Sequence, residues 1–135
     1  RLSVELILDC HHVPFNTSAE IIKAIGDRVV LVTDAMAAAG CADGNYSIGK
    51  LAVKVRDSVA RLESNGALAG STLTMDKAFL NAINECGVSI EQAVLMSSTN
   101  PAKALGLKDR GSIAVGMKAD LLSYDSSSGL INVIS

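Results

Sequence analysis

Aromatic side chains are scarce in this sequence of 135 residues, which has no tryptophan, two phenylalanines and two tyrosines. Small and aliphatic residues supply the apolar content instead: 49% of the residues are hydrophobic and 19% are charged. These proportions exclude a disordered chain and are typical of a soluble globular protein. A chain of this length buries roughly two thirds of its unfolded surface, so we expect one domain with a core of its own.

A basic surplus, a long apolar run and paired cysteines are also missing. The 12 Lys and Arg residues are scattered among 14 Asp and Glu residues, which argues against a nucleic-acid partner. No apolar run approaches the roughly 18–20 residues that a membrane span needs. The three cysteines, Cys10, Cys41 and Cys86, form no C-x-x-C pair. They predict reduced thiols and a cytoplasmic location rather than a disulfide framework or a cysteine zinc cluster.

The first third of the chain predicts a β-α-β unit with polar residues after each strand. The pattern indicates a strand over residues 2–8, a helix over residues 19–25 and a strand over residues 29–32. Apolar runs without alternation indicate strands that are buried on both faces, as in a parallel α/β sheet. His11 and His12 follow the first strand, and Asp34 follows the second.

The rest of the chain predicts antiparallel strands, then helices, then a small β module. Alternating segments at residues 46–48, 51–55 and 59–62 indicate antiparallel hairpins. Ser71 or Thr72 is the expected cap of a helix that ends at Gly87. A second helix begins at Ser89 and ends near residue 96, and a third runs from residues 100–106. Short strands at residues 120–124 and 130–134 close the chain.

Asp34 is a candidate catalytic residue, because active sites in α/β folds lie beyond the carboxyl ends of parallel strands. From its position alone, a cap of the following turn is an equally good interpretation. His11 and His12 cannot both ligate one metal ion from an extended segment, since neighbouring strand residues point to opposite faces. Gly66 and Gly70 fit either ordinary turns or a close approach of the backbone to a substrate.

The segments LVTDAMAAAG (residues 31–40), DCHHV (residues 9–13) and GALAGSTLTM (residues 66–75) occur in this order. They resemble the catalytic-aspartate segment, the substrate histidine segment and the substrate loop of N-acetylglucosamine-6-phosphate deacetylases. Residues 98–106 and 111–121 are similar to the wider amidohydrolase superfamily. The resemblance extends from about Val4 to Val133, with one departure: Cys10 and His11 replace the usual glycine and aliphatic residue.

The resemblance implies an α/β fold: the last two strands and helices of a (β/α)8 TIM-like barrel over residues 1–110, and part of a small β-sandwich domain over residues 111–135. It implies hydrolysis of the N-acetyl group of N-acetylglucosamine 6-phosphate, with Asp34 as the catalytic carboxylate. His12 and the backbone of Leu68, Ala69 and Gly70 would bind the amino-sugar phosphate. A divalent metal, zinc in the first instance, would have its ligands upstream of this chain, and the enzyme would be a homodimer.

Two alternatives stay open. Another amidohydrolase, dihydroorotase-like or deaminase-like, would share the strand-end aspartate and the closing β module. A non-catalytic chain, either a truncated remnant or an interaction module, would keep the fold without the metal ligands. The expected open edge of the two parallel strands favours association unless the rest of the barrel or another chain covers it. Since the metal ligands are also expected elsewhere, we expect the isolated chain to be inactive.

Overall fold

The chain begins with two parallel strands joined by a helix. In a computed structural model that describes residues 2–134, β1 (Val4–Leu6) pairs in parallel with β2 (Val29–Leu31), and α1 (Phe15–Ile25) lies between them in sequence. All three residues of β2 are buried. The prediction of an α/β unit with a parallel sheet is confirmed. The predicted domain limits at residues 1 and 135 lie outside the described residues.

Helix α1 begins four residues earlier than the sequence pattern predicts. Pro14 immediately precedes the helix with φ −56°, and its carbonyl oxygen accepts the Ser18 N–H at 2.9 Å. Because proline fixes φ near the helical value and has no N–H to lose, it favours a helix start at the next residue. The polar segment 16–18, which precedes the predicted helix in the sequence pattern, therefore belongs to the first helical turn.

A three-stranded antiparallel sheet occupies the middle of the chain. Its strands β3 (Gly44–Ile48), β4 (Leu51–Arg56) and β5 (Val59–Leu62) are adjacent in that order, as the alternating pattern predicts. The buried side chains of Val53, Val55 and Ala60 pack with Ala38 and Ala69. This small core fixes both the segment after Asp34 and the loop before Ser71.

The helical region consists of α2 (Met75–Asn84), α3 (Ile90–Val94), a π-helical turn (Leu95–Thr99) and α4 (Asn100–Ala104). Thr74, not Ser71 or Thr72, occupies the position before α2, so the predicted cap was wrong. Ser71 instead uses its hydroxyl to bond Asp9 at 2.9 Å. The predicted cap at Ser89 is confirmed, since its Oγ accepts the Gln92 N–H at 3.2 Å.

The expected break between the last two helices was also wrong. The Asn100 N–H donates to the Leu95 carbonyl oxygen, a bond of π-helical spacing that lets the chain pass from α3 into α4 without unwinding. Pro101 follows within the first turn of α4. The buried Asn100 side chain donates to the Val29 carbonyl oxygen at 2.8 Å and so attaches this helix to β2.

The two short strands predicted at the end of the chain are present as β6 (Leu121–Asp125) and β7 (Leu130–Ile134), and they pair as an antiparallel hairpin. Tyr124 and Ile131 lie opposite each other and pack against the main core. The Tyr124 ring meets Phe79 of α2 edge to face, with 5.3 Å between centroids. The buried members of that core come from both parallel strands, their flanks and the helices: Leu6, Leu8, Ile22, Val29, Leu31, Leu73, Ala78, Phe79, Ala82, Ala93 and Met96.

Candidate functional site

The chain bends sharply between β1 and α1, where the two histidines lie. Cys10 has φ +68°, and Asp9 Oδ1 accepts the backbone N–H groups of His11 and His12 at 2.9 and 3.0 Å. The prediction that both histidines extend the strand and point to opposite faces was wrong, because β1 ends at Leu6. His11 is nevertheless exposed, whereas His12 is partly buried and turned towards Asp9.

Asp9 joins His12 to Ser71. Its Oδ2 lies 2.8 Å from His12 Nδ1 and accepts the Ser71 hydroxyl at 2.9 Å. Burial raises the pKa of Asp9, but hydrogen bonds from the His12 backbone and ring, the Ser71 hydroxyl and the His11 backbone together bring it below its usual 3.8. The carboxylate is therefore ionised at neutral pH and links the first strand end to the loop before α2.

Asp34 lies three residues beyond β2, as predicted, with an exposed side chain and φ +49°. Aspartate is among the few non-glycine residues that adopt this left-handed conformation readily. The Asp34 carbonyl oxygen accepts the Ser71 N–H at 2.8 Å, and the Ser71 carbonyl oxygen accepts the Met36 N–H at 2.9 Å. Ser71 thus forms a short parallel bridge beside the Asp34 segment.

Gly70 is required both by its conformation and by the space around it. Its φ is +64°, and a Cβ at this position would lie 3.1 Å from the Asp34 carbonyl oxygen and 3.3 Å from Met36 Cβ. The close approach is therefore to the Asp34 segment. The other two predicted substrate contacts, Leu68 and Ala69, are held by β5. The Ala69 N–H donates to the Ala60 carbonyl oxygen at 3.1 Å, and Leu68 forms an antiparallel β-bridge with Arg61.

The structure connects His12 with the Asp34 segment through two residues that were not predicted from the sequence, Asp9 and Ser71. Asp9 Oδ2 bonds the His12 ring and accepts the Ser71 hydroxyl, and the Ser71 N–H donates to the Asp34 carbonyl oxygen. The D-x-x-H spacing at residues 9–12 was a usable signal, because an aspartate three residues from a histidine can reach its ring across a bend. Ser71 carried no comparable signal, since it also fits a helix cap.

Within residues 2–134, no group of three or more His, Cys, Asp and Glu side chains is placed to hold a metal ion. The described part of the chain also contains no helix with the length and apolar character that crossing a bilayer requires. The three cysteines are free, with Cys10 and Cys41 exposed.

The linked polar residues lie beyond the ends of parallel strands in an α/β fold, and the family model for the amidohydrolase family matches residues 5–133. The chain belongs to the amidohydrolase family. More particularly, it is 40% identical over 124 residues to the N-acetylglucosamine-6-phosphate deacetylase of Vibrio furnissii, covering 91% of this chain and 31% of that protein. The expected resemblance to these deacetylases is confirmed.

Two further similarities are to a related deacetylase and to a solved structure with a bound substrate. The N-acetylgalactosamine-6-phosphate deacetylase of Escherichia coli O157:H7 is 39% identical over 127 residues, which cover 93% of this chain and 33% of that protein. A solved structure of a variant N-acetyl-D-glucosamine-6-phosphate deacetylase from Mycobacterium smegmatis, in complex with N-acetyl-D-glucosamine 6-phosphate, is 36% identical with a TM-score of 0.89. It covers 98% of this chain and 36% of that one. The chain therefore spans about a third of the length of these proteins.

Proposed function

We propose that this chain supplies part of the active site of an enzyme that hydrolyses N-acetylglucosamine 6-phosphate to glucosamine 6-phosphate and acetate. One observation carries the proposal: continuous hydrogen bonds connect His12, Asp9, Ser71 and the backbone of Asp34. These bonds hold together the three segments that resemble the deacetylases, as a shared active site requires. The similarity to named deacetylases supports the same conclusion.

Asp34 is the proposed general base and acid. Amide hydrolysis forms a bond between the water oxygen and the acetyl carbon, and it breaks the bond from that carbon to the sugar nitrogen. A carboxylate can take the proton of the attacking water and return it to the nitrogen as the C–N bond breaks. The exposed Asp34 side chain is accessible for this transfer, while the Ser71 bond fixes its backbone.

His12 and the loop of Leu68, Ala69 and Gly70 are the proposed contacts to the sugar phosphate. His12 is suited to the role because one ring nitrogen is bonded to Asp9 and the other is left for a ligand. The Ala69 N–H already donates to Ala60 O. We therefore expect Ala69 to contribute its carbonyl oxygen to sugar recognition rather than its N–H.

Enzymes of the amidohydrolase family typically use a divalent metal. The residues that the structure describes do not form such a centre. We propose that zinc, or another divalent ion, is held by residues that lie outside this chain. The same proposal has four further parts: residues 1–110 belong to a barrel, residues 111–135 belong to a small β domain, the enzyme is a homodimer, and it is located in the cytoplasm.

The second candidate is the deacetylase reaction on N-acetylgalactosamine 6-phosphate. The chain is 39% identical to the Escherichia coli enzyme of that name and 40% identical to the Vibrio furnissii enzyme. The two identities support N-acetylgalactosamine 6-phosphate and N-acetylglucosamine 6-phosphate almost equally. The two sugars differ in the orientation of one hydroxyl group, at C4. A pocket that hydrogen-bonds this hydroxyl would discriminate strongly between them, because the wrong epimer leaves a buried polar group unpaired.

The decisive assay measures amine release from both sugar phosphates and from unphosphorylated N-acetylglucosamine, with added zinc. It compares this chain with a longer polypeptide that is expressed together with the upstream coding region. We expect turnover of N-acetylglucosamine 6-phosphate by the longer polypeptide only. Asp34→Asn should lower kcat by about 10²–10⁴-fold, because it removes the proton-transfer group.

Asp57→Asn is the matched control. Asp57 is also exposed and also has a positive φ, +51°, but it lies in the β4–β5 turn. It should leave kcat unchanged. Preference for the galactosamine epimer would promote the second candidate, and turnover of a dihydroorotase or deaminase substrate instead would refute both. Zinc-dependent turnover by this chain alone would refute the placement of the metal ligands elsewhere.

A further inference from the structure

Donors fill the hydrogen-bonding positions of the Asp9 carboxylate. Oδ1 accepts two backbone N–H groups, from His11 and His12, and Oδ2 accepts the Ser71 hydroxyl at 2.9 Å. The Ser71 oxygen itself accepts the Leu73 N–H at 3.1 Å, so its own hydrogen is available to point at Asp9. An ionised carboxylate can only accept. The fourth contact, His12 Nδ1 at 2.8 Å, must therefore carry a hydrogen.

We propose that Asp9 is a positioning residue, which holds His12 in the Nδ1–H tautomer and so presents Nε2 to the substrate. The inference rests on the proposed function, in which His12 binds the sugar phosphate. In a neutral imidazole one nitrogen donates and the other accepts, and the partner of the first decides the role of the second. The same carboxylate also bonds the His12 backbone, so a single side chain fixes both the ring and its main chain.

The inference extends to Ser71. The Asp9 side chain is only 9% exposed, and its Oδ2 bonds to the His12 ring and Ser71 together. Ser71 follows Gly70 directly and bonds the Asp34 backbone. Asp9 therefore sets the position of the histidine relative to the loop and the catalytic segment, rather than the position of the ring alone.

Asp9→Asn tests the tautomer directly. The asparagine oxygen must face the two backbone donors of His11 and His12, so its NH₂ group faces the His12 ring and Ser71. A donor at that position requires Nδ1 to accept, which moves the ring hydrogen to Nε2. Nitrogen-15 NMR of the ring should show a protonated Nδ1 in the unchanged protein and a protonated Nε2 in the variant. The ring of exposed His11 is the internal control.

The activity measurement uses the same protein as the deacetylase assay. Asp9→Asn should lower kcat/KM by about 10- to 100-fold, the size of effect that loss of an orienting carboxylate has at metal-ligating histidines. Ser71→Ala removes one bond to Asp9 but keeps the carboxylate, so it should preserve the tautomer and cost less activity. Circular dichroism checks that each variant folds.

The NMR result on the unchanged protein decides the matter even if no variant folds. A neutral His12 ring protonated on Nε2 would overturn the proposal, and so would wild-type kcat/KM in a variant whose tautomer has reversed. Absence of deacetylase activity from every protein would refute the proposed function instead. In that case the NMR result would still test the role of Asp9. A ring protonated on Nδ1 that changes to Nε2 in Asp9→Asn would support this role, and any other neutral tautomer in the unchanged protein would refute it.

Discussion

Cys10 occupies a backbone conformation that its side chain disfavours. Its φ of +68° lies in the left-handed region, where an L-residue with a Cβ costs roughly 1–2 kcal/mol and glycine does not. The conformation is maintained because Asp9 accepts both N–H groups that follow, from His11 and His12.

Cys10→Gly should therefore raise the free energy of unfolding by about 0.5–1 kcal/mol. The free energy gained by relieving the backbone strain is larger than the entropic cost of ordering a glycine, which is more flexible in the unfolded chain. Cys41→Gly is the control, because Cys41 is also exposed but is not among the residues with positive φ. It should lower stability slightly. Urea unfolding followed by circular dichroism measures both, and an equal or lower stability of Cys10→Gly would show that the bend is unstrained.

The β6–β7 hairpin turns around Asp125. Its carboxylate accepts the Ser127 hydroxyl and backbone N–H and the Ser128 hydroxyl, at 2.7–2.9 Å. These bonds, that from the Ser127 hydroxyl first, lower the pKa of Asp125 from 3.8 to about 2. Because the pKa is lower in the folded state, the ionised carboxylate stabilises the turn fully above about pH 4, and this contribution is lost as the pH falls towards 2.

The chemical shift of the Asp125 carboxyl carbon, followed by NMR between pH 1 and 6, should report this pKa of about 2. Replacing both Ser127 and Ser128 by alanine should raise the pKa towards 3.8, although the Ser127 N–H bond remains. Ser126→Ala lies in the same turn but removes neither hydroxyl, and should change nothing. Titration of unchanged Asp125 near 4 would contradict the geometry of the turn.

Elements whose signals are local were predictable from the sequence, and those that depend on distant partners were not. The alternation in β3–β5 and the Ser89 cap were sufficient because each involves neighbouring residues. The Thr74 start of α2 was missed because Ser71 is drawn to Asp9, 62 residues away. The continuous helix through Asn100 was missed because its side chain bonds Val29 on another element.

The same limit applied to the site. The position of Asp34 beyond a strand end was predictable because a strongly apolar strand precedes it, and Gly70 was a candidate because few residues adopt a positive φ. Asp9 was missed, because only the bend at Cys10 brings the carboxylate and the His12 ring together. How strands, loops and helices meet is a property of tertiary structure, and a single sequence carries little direct sign of it.

The molecule as a whole leaves one apolar face of the closing hairpin open. Tyr124 and Ile131 pack on the core, but Leu122 and Val133, the next opposed pair on that face, are 65% and 79% exposed. Exposed apolar surface of this kind favours association. We therefore expect this chain, studied alone, to self-associate with rising concentration, in keeping with its span of about a third of the related enzymes.

Sedimentation velocity of the chain at increasing concentration measures this association. The double variant Leu122→Lys with Val133→Lys should shift the distribution towards monomer, because two charges interrupt the apolar face. Ser123→Lys with Asn132→Lys adds the same two charges elsewhere: these residues also oppose each other, are also exposed, and lie on the other face of the same strands. If both double variants reduce association equally, net charge is the cause and the apolar face is not the contact. If only Leu122→Lys with Val133→Lys reduces it, association uses the face that contains Leu122 and Val133.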